Sequence, residues 1–169
     1  MINRNYFLYS KRLGFGLWSH NLFSEALALW GDHRVTEFID ARSPLTESMV
    51  KEKLQTEIMA QQAVNMQYWP LFSLEQGEFV GVCGLRPYDK MQKTCELGFH
   101  ICYQFWRQGL AREAAMAVIA YAGEKYQMSY LFAGHNPLNK SSKALLNKLG
   151  FVYSHDEYYP QTGLDHPSY

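Results

Sequence analysis

The residues with chemistry to offer are gathered in the middle of the chain. In KTCELGFHICY the apolar residues alternate, which predicts a strand. Cys95, Leu97, Phe99 and Ile101 share one face, and Glu96, Gly98, His100 and Cys102 share the other. A carboxylate and an imidazole, both titratable, therefore lie on one side. Cys95 and Cys102 point to opposite sides and cannot form a disulfide there. Next comes YQFWRQGLAREAAMAVIAYA, in which Gly109 precedes a helical run. Leu110, Ala114, Val118 and Ala122 mark its apolar stripe, with Ala111 and Ala115 beside it. The first N–H groups of such a helix lack intrahelical partners. Gly109 lets a ligand approach the backbone closely, and the small Ala111 keeps the next approach open. Free amides and helix dipole together attract phosphate, and Arg107 and Arg112 flank the turn with further positive charge. The same glycine can equally start an ordinary packed helix. Neither GxxxxGK[ST] nor GxGxxG is present.

The elements that must position these residues follow from periodicity. RLGFGLWS, residues 12–19, predicts a first strand. Leu22, Ala26, Leu29 and Trp30 have helical spacing, with Gly31 as a stop. A second helical region over residues 43–67 is announced by Ser43 and Thr46, with Glu47 and Glu52 early in the run. YWPLFSLEQGEFVGVCGLRP predicts two strands joined at Gln76-Gly77. After the glycine turn and its helix, SYLFAGH predicts a short strand. SSKALLNKLG predicts a helix capped by Ser141 or Ser142 and ended by Gly150. FVYSHDEYY and LDHPSY predict a final strand pair. One domain over residues 1–169 is expected, an α/β mixed sheet with helices on both faces.

Composition narrows the function classes. The chain has 169 residues, 47% hydrophobic and 15% aromatic, as expected of a globular core. Sixteen basic residues balance sixteen acidic ones, which argues against nucleic-acid or anionic-membrane binding by bulk charge. Three cysteines without CxxC spacing and six unclustered histidines argue against a metal site or a disulfide framework. No signal-peptide core or transmembrane run is evident, so a reducing cytoplasm is expected.

CELGFHICYQFWRQGLAREA resembles motif A of the GNAT N-acetyltransferase family, especially its ribosomal-protein-alanine (RimJ/RimL-like) branch, which reads ELGYxLxPxxWGKGYATEA. Glu96, Leu97, Gly98, Trp106, Gly109, Ala111, Glu113 and Ala114 match it in place. NPLNKSSKALLNKLGF is similar to the family's NxxNxASxxxLEKLGF, LALWGDHRVTEFI to its early LxxLxxDPxVxRYL, and FVGVCGL to its xIGxxGL strand. The chain departs from the branch with Tyr103, Arg107, Leu110 and Arg112, none of which removes a backbone donor.

The resemblance implies a twisted, mostly antiparallel sheet of about six to seven strands, splayed centrally around acetyl-CoA. It implies that the amides of Arg107, Gln108, Gly109, Leu110, Ala111 and Arg112 hold the pyrophosphate. Asn139 is placed on the pantetheine side, and a backbone N–H near Ile101 polarises the thioester. No metal is implied, and the protein is expected as monomer or homodimer. The acceptor is a primary amine, a protein N-terminus or a small molecule, whose ammonium must lose its proton. Glu96 is the candidate base, or else an ion-pair member on a sheet face. His100 is the reserve base or a packed histidine. The family's tyrosine acid falls on Leu146, which cannot donate, leaving Ser142 as a candidate acid or as a helix cap. A non-catalytic acyl-CoA-binding or docking protein on the same fold is the alternative.

Overall fold

The computed structural model describes residues 5–169. The first four residues of the polar N-terminal stretch lie outside it. A short hairpin, β1 (Leu8–Tyr9) and β2 (Leu13–Phe15), opens the chain. The expected strand over residues 12–19 is thus shortened at its far end. Trp18 turns to the opposite core, where its indole N–H donates to the Tyr68 carbonyl at 2.8 Å. The first helical region divides into α1 (Phe23–Trp30) and α2 (His33–Thr36), because Asp32 caps a new helix through Arg34 N–H. Thr46, rather than Ser43, caps α3 (Glu47–Val64), and Asn65 ends it in the left-handed conformation.

The strands β3 (Tyr68–Ser73), β4 (Phe79–Asp89) and β5 (Thr94–Ile101) then run as an antiparallel meander. Helix α4 (Leu110–Tyr126) carries the chain over to β6 (Tyr130–Phe132), which lies parallel to β5. The main sheet has six strands in the order β1-β2-β3-β4-β5-β6. After β6 come α5 (Lys140–Lys148), β7 (His155–Tyr159) and β8 (Leu164–Ser168). The last two pair as expected, but as a separate two-stranded sheet. It docks just past β6, where Ala133 and Tyr169 exchange hydrogen bonds of 3.0 and 2.9 Å.

Each face of the main sheet has its own core. Cys95, Leu97 and Ile101 pack with Ala114, Ala115 and Val118 of α4 on one side. Val82, Tyr68 and Cys102 pack with α1 and α3 on the other. The period-two reading of β5 holds, and its polar face is turned toward α1 and α3. Cys83, Cys95 and Cys102 are all buried and free.

Candidate active site

The site begins where two parallel strands part. β5 pairs with β4 along its whole length, from Asp89↔Thr94 to Gly81↔Ile101. Its pairing with β6 covers only Thr94, Cys95 and Glu96, the last opposite Phe132. Beyond that rung the β6 side of β5 opens into a cleft. Cys102 N–H donates to Val80 on the β4 side at 2.9 Å. Strand alternation therefore turns the N–H and carbonyl groups of Leu97, Phe99 and Ile101 toward the opening. The Ile101 carbonyl is already engaged there by the Trp106 indole N–H, at 2.7 Å.

The glycine turn closes one end of this edge. Gly109 is the N-cap of α4 with φ 76°, in the left-handed region that favours glycine. Arg107 is left-handed as well, with φ 61°. The branch it resembles carries glycine there, so this chain accepts a backbone cost of about 1 kcal/mol for an arginine. The Glu113 N–H donates to the Gly109 carbonyl at 3.1 Å, the first full helical bond. The amides of Leu110, Ala111 and Arg112 precede it and are not engaged in the helix.

A second arginine supports the turn from across the sheet. Glu113 accepts from the Ser10 hydroxyl, from Arg12 N–H and from Arg12 Nε, each at 2.7 Å. Arg12 also donates to the Gln108 carbonyl at 3.1 Å. Burial acts to raise the Glu113 pKa, but the Ser10 and Arg12 hydrogen bonds outweigh it and hold the carboxyl below its ordinary range. Arg12 and Ser10 had no signal in the sequence, because their partner lies far along the chain.

At the mouth of the splay, Glu96 belongs to a polar cluster on the α3 side of the sheet. Glu57 of α3 is buried, accepts the Tyr68 N–H at 2.8 Å and pairs with Arg86 of β4. The Arg86 guanidinium carbon lies 4.0 Å over the Tyr68 ring. The Tyr68 hydroxyl acts on Glu96, favouring its charged form. A side chain at Gly98 would collide with this ring, so the glycine between Glu96 and His100 makes room for Tyr68. Burial raises the Glu96 pKa, and the Arg86 charge and the Tyr68 hydroxyl only partly offset it. Burial likewise holds the His100 pKa well below its ordinary value, helped by Lys53 and Arg86. His100 Nδ1 accepts from the Trp30 indole at 3.2 Å, which makes it a neutral packed histidine. Glu57 did have a sequence signal: it follows Val50 and Leu54 on the apolar stripe of α3.

The far wall comes from α5 and the last strands. Asn139, not Ser141 or Ser142, caps α5, its Oδ1 accepting the Ser142 N–H at 3.0 Å. Asn139, Ser142 and Leu146 line the same cleft as Glu96. Ser142 is part-buried, and its hydroxyl has no protein partner among the described residues. Leu146 is almost fully buried. Among the described residues, no group of three His, Cys, Asp or Glu side chains is placed to hold a metal ion. No helix among them is long and apolar enough to cross a membrane.

A parallel strand pair parts beside a glycine-capped helix, with a carboxylate at the parting. Residues 12–152 match the acetyltransferase (GNAT) domain family, and the chain belongs to that family. YkkB of Bacillus subtilis is 33% identical over 87 residues, 51% of this chain and 51% of that protein. The uncharacterized N-acetyltransferase p20 of Bacillus licheniformis is 26% identical over 125 residues, 72% of this chain and 68% of that protein. The first of these matches thus spans about half the relative's length. A GNAT-family acetyltransferase structure from Bacillus anthracis superposes with a TM-score of 0.82 at 18% identity, covering 95% of each chain. RimL, a ribosomal L7/L12 α-N-protein acetyltransferase, superposes at 0.79 and 16% identity, covering 95% of this chain and 90% of that one. These structures share the fold.

Proposed function

We propose that the protein transfers the acetyl group of acetyl-CoA to a primary amine by direct attack within a ternary complex. The observation that carries this reading is the position of Glu96 at the last β5–β6 rung, where the opened strand edge meets the acceptor-side cavity. Acetyl-CoA supplies an activated thioester. The amides of Arg107, Gln108, Gly109, Leu110, Ala111 and Arg112 receive its pyrophosphate, since a left-handed glycine and unengaged helix amides suit an anion. The open edge of residues 97–101 hydrogen-bonds the pantetheine arm. The Ile101 N–H faces the thioester oxygen, and Asn139 lies on the pantetheine side.

Glu96 takes the proton of the incoming ammonium, directly or through water. Its raised pKa brings it nearer the operating pH, which favours general-base catalysis. His100 is the poorer base because its pKa is lowered and its Nδ1 is engaged by Trp30. Ser142 stands beside the cleft as the hydroxyl available to the departing thiolate, and Leu146 fills the adjacent position. A thiol with a pKa near 8.5 can also leave without a dedicated acid. The protein acts as a single domain, monomer or homodimer, and a reducing cytoplasm fits its three buried free cysteines.

Transfer of labelled acetyl from acetyl-CoA to a panel of amines, N-terminal peptides and amino acids tests the proposal. Transfer to at least one acceptor supports it, and CoA binding with no transfer contradicts it. That second outcome belongs to the alternative, a non-catalytic acyl-CoA-binding protein, which Leu146 at the family's tyrosine position favours.

A further inference from the structure

Two cations, Arg86 and Lys53, line the cleft, and only Arg86 is held in a direct ion pair. Arg86 reaches the Glu57 carboxylate through one nitrogen, and the other Glu57 oxygen is taken by Tyr68 N–H. Glu57 is thereby spent, while the Arg86 side chain stays one-third exposed. Lys53 lies one turn before Glu57 on α3 and lines the same cleft. No carboxylate among the described residues lies within ion-pair distance of its ammonium, which sits 5.0 Å over the Trp30 ring and is attracted by Glu57, Asp40 and Glu96 only at longer range. Burial and the Arg86 charge push the Lys53 pKa down to about 8, so the ammonium is still mainly charged at neutral pH.

The other charges facing this region do not pair with Lys53. Asp40 is held by Arg42 at 2.7 Å. Glu157 accepts from the Tyr88 hydroxyl at 2.9 Å and lies 3.6 Å from His155. Glu96 attracts Lys53 only from beyond ion-pair distance, and His100 is neutral. Tyr159, His166 and His135, whose ring is engaged by the Asn136 carbonyl and the Tyr169 hydroxyl, complete the titratable lining. A partly buried ammonium that carboxylates attract only from beyond ion-pair distance is costly. A pocket for a plain alkylammonium or a polyamine gains nothing from two cations beside its base.

We infer that the acceptor carries a carboxylate next to its amine: a free amino acid whose nitrogen meets Glu96 and whose carboxylate lies between Lys53 and Arg86. This rests on Glu96 marking the acceptor nitrogen's place. Phe38, Ile39 and Phe132 in the remaining wall favour an apolar side chain.

The experiment compares acetyl transfer to leucine, methionine and phenylalanine with transfer to the three amines that lack the carboxylate. The expected kcat/KM favours at least one acid over its amine by about tenfold or more, the worth of a charge-assisted contact. Lys53→Met brings that ratio toward one, and Lys53→Arg restores it. Equal use of acid and amine by the wild type, or a ratio unmoved in Lys53→Met, overturns the inference. So does a preference for acidic peptides over free amino acids, which points instead to a protein N-terminus. A second measurement needs no turnover: calorimetry of the three N-acetyl amino acids against the neutral N-acetyl amines, with CoA present. Tighter binding of an acid that is lost in Lys53→Met supports the anion site, even if the transfer assay fails and removes the catalytic reading. Equal binding overturns it.

Discussion

Glu96 faces Phe132 across the last rung that joins β5 to β6, so the carboxylate stands where the two strands part. One side of that point is an open backbone edge suited to an extended thioester arm. The other is a part-buried polar cluster reaching from α3 through Tyr68 to Glu96. The fold thus brings the acceptor cavity to the edge proposed for the cofactor, and each part can be tested separately.

The phosphate seat is tested by Ala111→Glu. A carboxylate in the first turn of α4 both fills the approach and repels an anion. Calorimetry should show CoA affinity falling by at least about tenfold, the effect of 1.4 kcal/mol. Unchanged affinity places the pyrophosphate elsewhere.

Gly98→Ala should disturb the acceptor side without touching the cofactor turn. The added methyl meets the buried Tyr68 ring, which cannot swing aside as a flexible chain end would. Overpacking of this kind costs about 1–3 kcal/mol, and thermal unfolding should show the loss. Transfer should fall too, because the Tyr68 ring packs between Arg86 and the strand that carries Glu96, while CoA affinity changes little.

Glu113 ties the β1–β2 turn to the glycine turn, and its pH dependence has a definite sign. Its folded pKa is depressed below the ordinary carboxyl value of 4.5. Its stabilisation is therefore present above that value and lost as pH falls through the folded pKa. Glu113→Gln should cost about 1 kcal/mol at pH 7, since Arg12 is half exposed and screened. The cost should shrink as pH falls below 4.5 through the depressed folded pKa, as followed by denaturant unfolding. A cost independent of pH would contradict the ion pair.

Much of this arrangement was legible in the residues, and the part that was not has a physical cause. Local periodicity set the faces of β5, so Glu96 and His100 were correctly placed together on one side. The glycine turn was legible because φ at Gly109 is a local requirement. The α5 cap was misassigned to serine because Asn139 and the serines are all competent caps, and only the backbone path chooses Asn139. Arg12 with Glu113, and Glu57 with Arg86 and Tyr68, depend on pairings between distant strands and helices, which no local pattern encodes. Glu57 alone left a trace, as an acid on the α3 stripe of Val50 and Leu54. The detached hairpin of β7 and β8 had none, since strand pairing was predictable but its docking partner was not.

The most direct test of the account is the pH dependence of kcat/KM for acetyl transfer by the wild type and by Glu96→Gln. A base works only when ionised, so wild-type activity should rise with pH through the pKa of Glu96, which burial places above 4.5. Glu96→Gln should lose that limb and fall by on the order of 10²–10⁴ in rate, with CoA affinity retained. A Glu96→Gln enzyme that keeps wild-type activity and the same acid limb would contradict the assignment of Glu96 as the base.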